Sequence, residues 1–168
     1  MTDNIQGQKN KNSAPSPSIL ILGIGNILLG DEGVGVRVIE AMSEINMPDN
    51  VELMDGGTSS MDILGNLDPK VKVIIIDAVQ GGGEPGTIYK FTPKDIKSPK
   101  PVFTSLHQIG LLESLSELEM VGKPPPYIVI YGIEPKNLEW DLELSPEITA
   151  IIPRVLELVL EEIHDYQA

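Results

Sequence analysis

Residues 71–79, "VKVIIIDAV", constrain the fold more than any other stretch of this chain. From Val73 to Ile76 the run is β-branched and unbroken, so a strand here turns apolar side chains to both of its sides. Such a strand belongs in the centre of a parallel sheet, and a parallel sheet needs helices above and below it. Gly81–Gly83 and the Pro85-Gly86 pair end the run.

The rest of the chain supplies the missing layers. Residues 18–24 form a second short Ile/Leu run that stops at Gly23 and Gly25. From Glu32 onward Val34, Val38, Ile39, Met42 and Ile45 recur at helical spacing until Pro48. "VELMDGG" (51–57) reads as a strand, and "SSMDILGNL" (59–67) as a short helical stretch capped by Ser59 or Ser60. "GTIYKFT" (86–92) alternates like an antiparallel edge strand or hairpin arm. A loop marked by Pro93, Pro99 and Pro101 leads to an amphipathic helix beginning near His107. "PYIVIYGI" (126–133) is the last strand, and Ser145 with Pro146 opens the last helix. The alternation predicts a three-layer α/β sandwich: a mostly parallel, twisted sheet of about five strands flanked by helices on both faces. Residues 1–17, polar and rich in Pro and Ser, read as a disordered tail without the apolar segment of a signal peptide. Residues 18–168 read as one domain.

Charge narrows the partners. With 12 basic and 25 acidic residues the formal charge is −13, which repels nucleic acid and anionic membrane surfaces and suits cations or a basic protein segment. The absence of cysteine rules out disulfides and thiolate metal sites, leaving carboxylates and two histidines as metal ligands. No apolar run approaches the ~20 residues that span a bilayer. A soluble cytoplasmic protein, monomeric or weakly dimeric, is expected.

In open α/β sheets, ligands bind at the carboxyl ends of the strands. Three groups fall there: Glu32, with Asp31 beside it, after the first strand; Asp77 at the end of the third; and His107 at the start of a helix. Two carboxylates and an imidazole make an oxygen/nitrogen site for a divalent cation, and imidazole suits nickel, zinc or copper better than magnesium. Each residue also has a plain structural reading: Glu32 as a first-turn acid, Asp77 as a loop cap, His107 as a helix-start residue. Asp55-Gly56-Gly57-Thr58 lies at another strand end, where glycines let a substrate backbone approach or simply make a turn. Glu84 reads as solvated and His164, near the end of the last helix, as structural. The first turn fails the dinucleotide fingerprint, because Leu28 stands where a third glycine belongs, and no phosphate-loop lysine follows. No G-x-S-x-G elbow frames Ser59, Ser60 or Ser105, which argues against a serine hydrolase.

The segments "GIGNILLGDEGVGVRVIEAM" (23–42), "MDGGTSSMDILG" (54–65), "VIIIDAVQGGGEPGTI" (73–88), "SLHQIGLLESL" (105–115), "VIYGIEPKNLEW" (129–140) and "LSPEI" (144–148) resemble, in order, the hydrogenase maturation endopeptidases. Those enzymes trim the C-terminal extension of the large subunit of nickel–iron hydrogenases. The resemblance implies that Glu32, Asp77 and His107 bind a metal, nickel already inserted in the large-subunit precursor, and that no organic cofactor takes part. It leaves Asp31 and Asp77 as candidate catalytic carboxylates, of aspartic type or metal-dependent, with Asp55–Thr58 as candidate substrate contacts. Two rival readings are a non-catalytic nickel-binding escort of the large subunit and a nucleotide-binding module built on the Gly-rich first turn.

Overall fold

The computed structural model describes residues 18–58, 67–96 and 106–167, except for the side chains of 106–109 and 167. Five strands form one sheet: β1 (Ile19–Ile24), β2 (Val51–Gly57), β3 (Lys72–Ala78), β4 (Ile88–Phe91) and β5 (Tyr127–Ile133). Among the described residues four α-helices accompany them: α1 (Val34–Ser43), a single turn α2 (Pro93–Ile96), α3 (Leu106–Met120) and α4 (Pro146–Gln167). The strand order is β2-β1-β3-β5-β4, parallel throughout except for β4, which pairs antiparallel with β5. The expected three-layer sandwich and the expected antiparallel edge strand are both present.

Every residue of β1 and β3 is buried, because the sheet is covered on both sides. On one face Ile19, Ile21, Ile74, Ile76 and Tyr131 pack with Val34, Val38 and Met42 of α1 and with Val155, Val159 and Ile163 of α4. On the other, Leu22, Ile24, Val73, Ile75 and Ile130 pack with Leu111, Leu115 and Leu118 of α3. The alternation along each strand thus sorts side chains between two separate cores.

The structure departs from the sequence expectations in two places. The helix expected from Glu32 begins as a 3-10 turn over Gly30–Gly33, and α-helix starts only at Val34. The tighter coil is held by the Glu32 N–H donating to Leu29 O at 3.2 Å. The proline-marked loop contains α2, because the Asp95 carboxylate reaches back to Thr92 at the start of the turn. The Thr92 N–H and hydroxyl both donate to the Asp95 carboxylate, at 2.7 and 2.8 Å, while Ile96 is buried. The N-terminal tail, Ser59, Ser60, the rest of the 59–66 stretch, Pro99, Pro101 and Ser105 lie outside the described residues. Among the described residues no helix is long and apolar enough to cross a membrane.

Candidate active site

The chain leaves β1 toward β2 on one side and returns to β3 on the other, so the order in which strands are added reverses between β1 and β3, which themselves run parallel. In open α/β sheets the ligand crevice lies at such a switch point, outside the carboxyl ends of the two strands. The first glycine-rich turn is built into it. Gly25 leaves β1 at φ 142°, and a Cβ there would stand 1.8 Å from the Glu32 carbonyl oxygen. A Cβ on Gly35 would stand 2.3 Å from the carbonyl oxygens of both Ile24 and Ile76. These glycines seat the turn and α1 directly on the ends of the two central strands. Their packing accounts for the motif without any phosphate ligand.

This close seating delivers Asp31 and Glu32 to the crevice in different environments. Asp31 is fully buried, and its carboxylate accepts four hydrogen bonds. The donors are the N–H of Lys136 at 2.9 Å, the N–H of Asn137 at 2.8 Å, the N–H of Ser145 at 2.6 Å and the Ser145 hydroxyl at 2.9 Å. Asp31 therefore fastens the loop between β5 and α4 to the first turn. The main chain reinforces the joint, with Gly30 N–H donating to Asp141 O and Asp141 N–H donating to Leu28 O, at 2.9 and 3.1 Å. Glu32 is half-buried, on a turn that packs against β3.

Asp77, 2 % exposed, is the penultimate residue of β3. It alternates with Ile76 and Ala78, which face α1 and α4, so its position falls on the α3 side of the sheet. His107 stands in the first turn of α3, four residues before the buried Leu111; its side chain lies outside the described residues. Glu32 and Asp77 thus occupy the carboxyl ends of neighbouring strands. Among the described residues no three His, Asp or Glu side chains are grouped closely enough to hold a cation, His107 standing outside that set.

The end of β2 borders the same crevice. The Gly25 N–H donates to Gly57 O at 2.9 Å, and the Gly57 N–H donates to the Asp55 carboxylate at 2.8 Å. Asp55 and Thr58 are exposed and Gly56 is half-buried, so this short segment presents backbone beside the first turn.

At this edge of the sheet one buried acid escapes the sequence reading. Glu134, 7 % exposed and first after β5, accepts from the N–H of Gly81 at 2.7 Å, the N–H of Gly83 at 3.3 Å and the Tyr89 hydroxyl at 2.8 Å. Burial, then the bond to Glu134 and its charge, raise the Tyr89 hydroxyl above the usual phenol range. The strand-end rule that selects Asp77 also selects Glu134, had it been applied to the last strand. Asp31 and Glu134 brace the two loops that wall the crevice. Together with Glu32 and Asp77 they gather negative charge at one edge of the sheet, a field that attracts cations.

A family model described as hydrogenase maturation protease matches residues 36–162. The chain is 38% identical to the "Hydrogenase 2 maturation protease" of Escherichia coli over 149 residues, covering 88% of this chain and 91% of that protein. It is 34% identical to a putative hydrogenase maturation protease of Methanocaldococcus jannaschii, covering 86% and 96%. The solved structure of the E. coli hydrogenase maturating endopeptidase HybD superposes with a TM-score of 0.76 at 37% identity, over 88% of this chain and 93% of that one. With a family model matched over most of its length, close relatives covered almost end to end and a shared fold, the chain belongs to the hydrogenase maturation protease family.

Proposed function

We propose that this protease makes a single cut near the C-terminus of the nickel-loaded large-subunit precursor of a nickel–iron hydrogenase, releasing its C-terminal extension. The observation that carries the reading is the placement of Glu32 and Asp77 at the carboxyl ends of adjacent strands, beside a turn whose glycines hold it there. In this reading Glu32, Asp77 and His107 grip the nickel of the substrate, a cation whose chemistry matches two carboxylates and one imidazole. Once gripped, that nickel supplies a fixed positive charge that ties the precursor to the crevice.

The scissile amide then lies against the Asp55–Thr58 segment, where backbone groups orient it. Water attacks the amide carbon, a carboxylate takes the water's proton, and the same proton passes to the departing nitrogen as the C–N bond breaks. Of the two candidate bases, Asp31 has its oxygens engaged by four donors from the loop before α4, which supports it as the residue that positions the turn; Asp77 is read as the base from its place at the end of β3. The acidic balance, −13 overall, supports a monomer or weak dimer, and the action is placed in the cytoplasm as part of this reading. The names of the relatives, proteases and endopeptidases, favour cleavage over a non-catalytic escort.

Mass spectrometry of the precursor before and after incubation tests this. Loss of a C-terminal peptide with nickel-loaded precursor, and none with nickel-free precursor or with Asp77→Asn, is the expected result. Binding without a shortened product would favour the escort.

A further inference from the structure

The loop fastened by Asp31 carries the most exposed aromatic side chain of the described residues. Trp140 is 75% exposed, Leu142 57% and Leu138 40%, while Ile27 and Leu28 on the first turn are 40% and 39% exposed. The two segments are one surface. Leu29 and Asp141 form a parallel bridge, and the Asp141 N–H and C=O both pair with the first turn. The Arg37 guanidinium of α1 donates to Leu142 O at 2.9 Å. Side-chain caps stiffen the loop further: the Glu139 N–H donates to the Asn137 side chain and the Glu143 N–H to the Asp141 carboxylate, at 2.9 and 3.1 Å. A surface this firmly held, with five large apolar side chains between 39% and 75% exposed on two joined segments, is not a loose loop; exposed apolar groups gathered in this way mark interaction sites.

Charge identifies the occupant. The apolar residues of the loop alternate with Glu139, Asp141 and Glu143, all exposed, on a chain of net charge −13. Two copies of this patch face to face would bring six carboxylates together, three from each loop, which disfavours self-association. A polypeptide with apolar residues set among Lys or Arg satisfies both features at once.

We propose that the Ile27–Leu28 and Leu138–Leu142 surface is a docking site for a basic, apolar segment of the substrate polypeptide, with Trp140 as its anchor. This rests on the endopeptidase reading above. Docking here holds the precursor by a contact separate from nickel, because Asp31 links this loop to the turn that presents Glu32. The surface selects which protein is cut; the crevice selects its metal state.

Trp140 is the single tryptophan of the chain, so 5-fluorotryptophan labelling gives one fluorine signal that reports on this surface alone. Adding unlabelled, nickel-loaded large-subunit precursor should shift that signal, and raising the salt concentration should weaken the shift. In cleavage assays Trp140→Ser should raise KM about tenfold or more. Met120→Ser, at an 86% exposed apolar residue at the end of α3, should leave KM and kcat unchanged. Leu142→Ser should repeat the KM effect if Trp140→Ser unfolds. No fluorine shift with precursor, or a shift driven by enzyme concentration alone, overturns the proposal. A fluorine shift without any cleavage by the parent protein would leave the docking site standing and sink the endopeptidase reading instead.

Discussion

Asp31 and Glu32 are neighbours in sequence with opposite surroundings, and their substitutions should separate them. Asp31→Asn turns an NH2 group toward donors that the carboxylate now receives, leaving buried N–H groups unpaired. Its cost should be about 2–4 kcal/mol, read by urea denaturation. Asp77→Asn should instead lower kcat by about 100-fold or more, read in cleavage assays on the folded variant. If Asp31→Asn loses activity at full stability, the division of roles between the two aspartates fails. The strand-end rule could find Asp31, Glu32 and Asp77, since it depends only on where apolar runs stop. It could not say which acid of the pair turns inward, because the donors to Asp31 come from residues 105 to 114 positions away. Glu134 went unread because a Glu-Pro pair after a strand looks like the start of an ordinary loop.

At the level of elements, the approach of α1 to the sheet depends on atoms that cannot yield. A methyl group on Gly35 meets two main-chain carbonyls, so Gly35→Ala must lift the helix rather than shift a side chain. A loss of about 2–3 kcal/mol, or failure to fold, is expected, with unfolding followed by circular dichroism. Gly82, with nothing within 4 Å of a Cβ there, differs: Gly82→Asn should cost little, since Asn tolerates its φ of 80°. The strands were legible because burial on both faces writes an unbroken apolar run into the sequence. The 3-10 turn and α2 were not, since each depends on one or two local hydrogen bonds that leave no periodic trace.

The molecule as a whole has two ends with different chemistry. Away from the crevice, Lys72, the first residue of β3, pairs with Glu162 of α4 inside the fold, where the Tyr131 hydroxyl and Lys90 also reach the carboxylate. Burial opposes the Glu162 charge, but the bonds from Lys72, Lys90 and Tyr131 outweigh it and hold the group at about 2. A carboxyl held low in the folded state contributes stability above its unfolded pKa, about 4.3, and loses it as pH falls toward the folded value. Acid titration followed by near-ultraviolet dichroism should therefore show part of the unfolding between about pH 4 and pH 2. Glu162→Gln should remove that part of the transition and lower stability at neutral pH. The Asp31 joint has a consequence in time as well as in space. A chain emerging from the ribosome presents its first turn early, yet the donors that lock that turn are made more than a hundred residues later. A nascent protease of this design holds its first turn unlocked until Ser145 has been released, so the earliest part of the site is finished by one of the later ones.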